Sequence, residues 1–315
     1  MIEQKFPVAS ICCMTKDLQN YIADGINSFL AQKTTYSFEI ILSDDFSSDN
    51  TVEVCRGFQR QHPNAITILT SEKKLGLEKN FIKSMKACRG KYIAFCDGDD
   101  YWTDPLKLQK QIDYLEENPD CNLVCSDYDY VSEDGVFIKS EWKKEWYEKR
   151  FDIVENLKCA IATTLTTVIR KSALEPLLNT ITVDNHPFIW DTVLWAFCLK
   201  EGFGYCYPEK MALRRVLYTG EYTTKSVIDR AYYDINSIYS IQGLIKDKKV
   251  QAFLGQSLYA INITIAKENL KTGNANKARS HLINLAFKWK GIGAVKNNFK
   301  YIYWFFKTIV LKPNN

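Results

Sequence analysis

Apolar residues over the first hundred positions fall into two alternating rhythms. Short continuous apolar runs at "VASICCM" (8–14), "FEIILSDD" (38–45), "AITILT" (65–70) and "KYIAFCD" (91–97) read as buried strands. Helically spaced segments lie between them. In "NYIADGINSFLAQ" (20–32) the apolar positions 22, 26, 29 and 30 share one face. "TVEVCRGFQRQ" (51–61), with Asp49 or a nearby serine as N-cap, and "LEKNFIKSMKAC" (77–88), ended by Gly90, follow the same pattern. The β-α-β-α-β-α-β order predicts a mainly parallel sheet with helices on both faces, joined by right-handed crossovers.

Further along, Pro105 opens a helix over 105–118 that stops before Pro119. "NLVCSDYDYV" (122–131) reads as a strand with acids at 127 and 129, and the charged, aromatic stretch 140–157 as a loop with a short helix. Residues 163–174 read as strand then helix, 191–202 as a helix ended by Gly202, and the pattern from about 228 onward is helical.

Two of the strands end in carboxylates: Asp44-Asp45, and Asp97-Gly98-Asp99-Asp100. In open parallel sheets ligands bind beyond the carboxyl ends of the strands, so both clusters face one crevice. Carboxylates packed this closely repel one another. A hard cation such as Mg²⁺ or Mn²⁺, commonly held by one or two carboxylates plus substrate phosphates, offsets that repulsion. Gly98 leaves room there for a ligand to approach. The acids of "SDDFSSDNT" (43–51) can accept hydrogen bonds from a ribose or base, and the same residue types also suit a plain turn. An acid of the second cluster could instead cap the helix near Pro105, although Asp104 suits that position better.

"SDDFSSDNT" resembles the DDxSxDxT stretch of family 2 glycosyltransferases, and "KLGLEKNFIKSMKACRGKYIAFCDGDDYW" (74–102) resembles the segment leading into that family's DxD motif. The resemblance covers residues 6–130. It implies the GT-A fold, a Rossmann-like, mainly parallel α/β sheet, here followed by a C-terminal helical region. It further implies a nucleotide-diphospho-sugar donor, Mn²⁺ or Mg²⁺, and usually inversion at the anomeric carbon. By position, Asp45 and Asp44 contact the nucleobase or ribose, Asp97 faces the ribose and donor sugar, and Asp99 binds the metal. The chain departs from the family at Cys13–Thr15, where members usually carry Pro-Thr-Tyr-Asn. Downstream, "HPFIWDTVLWAF" (186–197) offers Asp191 as the general base, with Trp190 before it; the lesser alternative is that Asp191 only caps its helix, and His186 could be a loop residue near the acceptor. "ALRRVLYTGEYT" (212–223) lies where members carry a basic, phosphate-facing element, so Arg214 or Arg215 is expected on the diphosphate. Leu217 and Tyr218 stand where many members have a histidine.

The resemblance divides the chain into a catalytic domain, 1–225, and a helical, basic region, 226–315. The first holds a nucleotide-sugar half (about 1–130) and an acceptor half (about 131–225). The expected activity is inverting, metal-dependent transfer of a hexosyl or N-acetylhexosaminyl group from a UDP-sugar to a hydroxyl of a glycan or lipid-linked oligosaccharide, as in bacterial polysaccharide assembly. A nucleotidyltransferase would need a Gly-rich basic loop after the first strand, where "CCMTKDLQN" (12–20) has only Lys16. A non-catalytic carbohydrate-binding or scaffold protein would have no need of acids at 45, 97, 99 and 191 together.

Composition narrows the picture further. The 315 residues are 46% hydrophobic and 25% charged, an ordinary globular balance. Ten scattered cysteines with no CxxC pair, and three histidines, exclude a zinc-ligand pattern and suggest reduced core thiols. The N-terminal stretch does not read as a signal peptide, and no run reaches the roughly 18 apolar residues of a spanning helix, so a cytoplasmic protein is expected. Every acidic residue falls at or before Glu268, whereas nine Lys and Arg lie beyond it. In "VKNNFKYIYWFFKTIVLK" (295–312), Lys296, Lys300 and Lys307 fall within about 40° of one another on a helix whose remaining surface is aromatic and aliphatic. This segment suits an interfacial helix on the anionic inner face of a cell membrane, or a helix docked on the body. The acidic body argues against nucleic acid as partner.

Overall fold

The computed structural model describes residues 6–141, 144–218 and 224–288, with residues 141 and 282–288 as backbone only. The amphipathic segment 295–312 and the end of the basic stretch, 219–223, lie outside the described residues. The chain divides into two compact units, Met1–Leu217 and Tyr218–Asn315.

In the first unit the strands are β1 (Ala9–Thr15), β2 (Phe38–Asp44), β3 (Ile66–Leu69), β4 (Tyr92–Phe95), β5 (Tyr101–Trp102), β6 (Cys121–Val131), β7 (Phe137–Glu141), β8 (Arg150–Phe151), β9 (Val168–Arg170) and β10 (Phe203–Arg215). The helices are α1 (Ile22–Leu30), α2 (Thr51–Gln61), α3 (Leu77–Ala87), α4 (Lys107–Glu117), α5 (Ile153–Cys159), α6 (Lys171–Leu178) and α7 (Asp191–Cys198). One sheet runs in the order β3-β2-β1-β4-β9-β6-β10-β5, with β7 added to β6 and β8 to β10. The β3-β2-β1-β4 half is parallel throughout, as the alternating pattern predicts. β9 runs antiparallel to both β4 and β6, and joins that half to a parallel β6–β10 pair. The fully buried Ile11, Ile40, Leu42, Tyr92 and Ala94 of these strands form the core with Ile22, Ile26 and Phe29 of α1. None of the ten cysteines forms a disulfide, and all but Cys159 are buried.

Helix boundaries shift by small, explicable amounts. Asn50 occupies the N-cap of α2, yet the Asp49 carboxylate takes the Thr51 N–H at 2.9 Å. α4 starts two residues after Pro105, with Asp104 accepting from the Leu106 N–H at 2.8 Å. α7 stops at Cys198 and tightens into a 3₁₀ turn before Gly202, whose φ of 143° and contact with the Asp120 carbonyl exclude a side chain.

The second unit contains α8 (Val227–Leu244), α9 (Lys248–Lys271) and α10 (Ala275–Lys288). Ser226 and Asp247 cap the first two by accepting main-chain N–H groups. α9 packs on both neighbours, and Ala231, Ile235 and Ile265 form a small core. Among the described residues, no helix is long and apolar enough to cross a membrane.

Candidate active site

Both acid clusters flank the carboxyl end of β1. The Asp45 N–H donates to the Thr15 carbonyl at 3.0 Å, and the Gly98 N–H donates to the Met14 carbonyl at 2.9 Å. The clusters therefore stand on the two strands bordering β1, about 10 Å apart by strand spacing. Gly98 is required by packing against the protein itself. A Cβ there would lie 3.0 Å from the Met14 carbonyl oxygen and 2.8 Å from Ile22 Cδ1, so the turn is pressed onto β1 and α1.

Asp44 and Asp45 are both buried, and protein donors already engage them. Asp44 accepts from the Ser47 N–H at 2.9 Å and from the Ser47 hydroxyl. Asp45 accepts from the N–H groups of Leu75 (2.6 Å) and Gly76 (3.0 Å), so it fastens the loop that opens α3. Lys83, a residue to which the sequence drew no attention, stands in the field of both acids.

Asp97 and Asp99 are half-buried and Asp100 is buried. Burial, then the charges of Asp99 and Asp191, push the Asp97 carboxyl up to about 7, while Arg214 pulls it back. Burial also raises Asp99, against Arg214 and Arg215, and raises Asp100 well above the ordinary carboxylate range with help from Asp99 and Asp97. Asp191, at the first position of α7, belongs to the same electrostatic cluster. Burial raises it, offset by hydrogen bonds from Thr192 and Thr164 and by the charge of Arg214. Trp195 of α7 meets Phe95 edge-on at 5.2 Å, two residues before Asp97, and this contact sets α7 against the acid turn.

The arginine pair is split by strand alternation. Arg214 is exposed and faces the acids, with its guanidinium over the Tyr130 ring at 5.7 Å. Desolvation there is outweighed by Asp100, Tyr128 and Tyr130, which hold it protonated. Arg215 is buried on the other face. Its N–H donates to Asp100 at 2.9 Å, its Nη2 donates to Asp24 at 2.7 Å, and its guanidinium lies over Tyr21 and Tyr101. Asn20, Tyr21, Asp24, Glu133, Asp134 and Arg215 line an open cavity of about 420 Å³ on that side.

Asp97, Asp99, Asp100, Asp191 and Arg214 thus belong to one electrostatic cluster, with Asp44 and Asp45 at the end of β2 on the other side of β1. His186 has its Nδ1 2.7 Å from the Pro187 carbonyl oxygen and 3.9 Å from a Glu78 carboxylate oxygen. The acids present hard oxygen donors, and the mutual repulsion that helps raise Asp97 and Asp100 is what a divalent cation among them would offset. Among the described residues, no three metal-ligating side chains converge on one point.

A family model described as "Glycosyl transferase family 2" matches residues 10–178, more than half of the chain. The "Uncharacterized protein Mb1547" of Mycobacterium bovis is 33% identical over 140 residues, which span 43% of this chain and only 40% of that protein. Among solved structures, TarS of S. aureus in complex with UDP-GlcNAc superposes with a TM-score of 0.63 at 15% identity, covering 97% of this chain and 81% of that one. The mannosyltransferase PcManGT of Pyrobaculum calidifontis, in complex with GDP-Man and Mn²⁺, gives 0.59 at 13% identity, covering 98% and 86%. At such identities the likeness carries the fold, the GT-A α/β architecture with a C-terminal helical region.

Proposed function

The chain belongs to glycosyl transferase family 2 and is a glycosyltransferase, and from that premise we propose inverting, metal-dependent transfer of a hexosyl or N-acetylhexosaminyl group from a UDP-sugar to a hydroxyl of a glycan or lipid-linked acceptor. One observation carries this reading. Asp97 and Asp99 share one field with Asp191 and Arg214, both distant from them in sequence. The UDP-GlcNAc held by TarS and the Mn²⁺ held by PcManGT support the donor and the metal.

In this reading Asp99, with Asp97 beside it, would hold Mn²⁺ or Mg²⁺, which would supply positive charge to the diphosphate leaving group. Asp44 and Asp45 border the nucleoside and keep their rim rigid. Arg214, exposed and fully protonated, binds the diphosphate, while Arg215 braces the wall through Asp24 and Asp100. Asp191 accepts the proton of the attacking hydroxyl; its raised affinity for protons suits it to that task. The acceptor half, 131–225, supplies this base, and the nucleotide-sugar half, 1–130, supplies the donor acids.

The test is a thermal-shift and hydrolysis screen of UDP-, GDP- and dTDP-sugars with and without Mn²⁺. A UDP-sugar with Mn²⁺ is expected to raise Tm and to turn over. Asp99→Ala abolishes the metal-stimulated turnover; turnover like wild type in that variant removes the metal assignment. Asp191→Asn keeps donor affinity and loses about 10²- to 10⁴-fold in transfer. Calorimetry showing donor affinity lost instead makes Asp191 structural.

A further inference from the structure

We propose that Thr164 is a positioning residue for the Asp191 carboxylate, its hydroxyl presented by a 3₁₀ turn that is held by side-chain hydrogen bonds to two successive carbonyls. The inference rests on the reading of Asp191 as the proton acceptor.

The segment "TTLTT" (163–167) carries four threonines. Those of Thr166 and Thr167 bond back to the Thr163 carbonyl at 3.2 and 2.7 Å, and the hydroxyls of Thr163 and Thr166 meet at 3.0 Å. Thr164 instead reaches out of the turn to Asp191 Oδ2 at 3.1 Å. The turn itself is pinned. The indole N–H of Trp102 donates to the Leu165 carbonyl at 2.9 Å, and Gln111 Nε2 donates to the Thr166 carbonyl at 2.9 Å. Trp102 sits just beyond the acid turn and packs between Phe29 and the ammonium of buried Lys107, which also donates to Gln111 Oε1 at 2.6 Å. β5 and α4, the two elements that follow the acid turn, therefore also fix the turn that carries Thr164.

The carboxylate needs such a partner. Asp191 Oδ1 takes the N–H and hydroxyl of Thr192, its own neighbour, at 2.5 and 3.1 Å. Those bonds tether one oxygen and leave the soft terminal torsion free to swing about it. Thr164 holds the second oxygen and leaves it a lone pair for the acceptor hydroxyl. Misplacement of a reacting group by about 1 Å costs about a hundredfold in rate, so the tether bears on turnover rather than on donor binding.

The experiment compares Thr164→Val, Thr164→Ser and Asp191→Asn, with the double variant Thr164→Val/Asp191→Asn, on the nucleotide sugar that turns over fastest in the screen above. Thr164→Val is expected to lower kcat about 10- to 100-fold, with KM for the donor within about twofold. Thr164→Ser restores kcat to within about threefold, and in the Asp191→Asn background Thr164→Val adds less than about twofold. Wild-type kcat in Thr164→Val, an equal loss in the Asp191→Asn background, or a folded Thr164→Ser protein as slow as Thr164→Val overturns the proposal. Full turnover of Asp191→Asn alone removes the base reading itself. Full turnover of Thr164→Val beside an inactive Asp191→Asn removes only the positioning role.

Discussion

Lys107 has no exposed surface, and its ammonium lies 4.4 Å above the centre of the Trp102 ring with Gln111 as its hydrogen-bond acceptor. Burial lowers it from the ordinary 10.5 to about 7. The folded protein therefore binds this proton only below about pH 7, whereas the unfolded chain holds it until about 10.5. Between those values unfolding takes up a proton, so the stability this group allows rises with pH, by up to about 1.4 kcal/mol per unit. The clean window runs from about pH 7 to about 8.5, above which thiols freed by unfolding begin to ionise. Denaturant titrations at the two ends of that window should show the wild-type protein gaining stability relative to Lys107→Met; parallel behaviour would exclude a neutral lysine. The sequence conceals this residue as it conceals Thr164. A lysine in an amphipathic helix reads as surface, and a threonine in a threonine-rich stretch reads as filler. Their roles come from Trp102, Gln111 and Asp191, partners supplied by the fold. The acids are legible because consecutive carboxylates at a strand end need a local reason, although the packing need for Gly98 shows only in the approach of β1.

Longer elements divide the same way. β1 to β4 and their helices are readable because each is a short apolar run or a clean helical stripe. β10 is not, although it is the longest strand of the sheet and carries both arginines. "FGYCYPEKMALRR" is interrupted by Pro208-Glu209-Lys210, and its register against β6 slips on either side of Lys210. A strand that needs irregularities to hold its partner leaves no steady period of two in its sequence. The glycines give opposite tests of the elements. A Cβ on Gly90 would stand 2.6 Å from the Ala9 and Ser10 backbone, which cannot yield, so Gly90→Ala should cost about 2–3 kcal/mol and lower Tm by several degrees. Gly57 lies within α2 with only the flexible end of Arg60 within 4 Å of such a Cβ, so Gly57→Ala should gain about 0.5–1 kcal/mol. Calorimetric scans of the two variants giving shifts of the same sign would contradict these local packing assignments.

Across the whole molecule, charge is distributed unevenly. Every Asp and Glu precedes residue 269, and the segment that follows is basic and rich in aromatic residues. That composition makes an anionic membrane surface the expected partner of this segment. Five lysines lie within 290–315, each worth about 1 kcal/mol close to an anionic leaflet, while the neighbouring aromatics favour the headgroup zone whatever the lipid charge. These two contributions separate experimentally. Deleting 290–315 should reduce co-sedimentation with phosphatidylglycerol vesicles at least tenfold and leave hydrolysis of the donor in solution intact. Raising the salt to about 0.5 M, where screening reaches only a few ångströms, should weaken the full-length protein's binding to phosphatidylglycerol but change little of any residual binding to phosphatidylcholine. Equal sedimentation of the full-length and shortened chains would mean that the lysines stay in water beside the protein, and the acceptor would then have to be recognised by the catalytic unit alone.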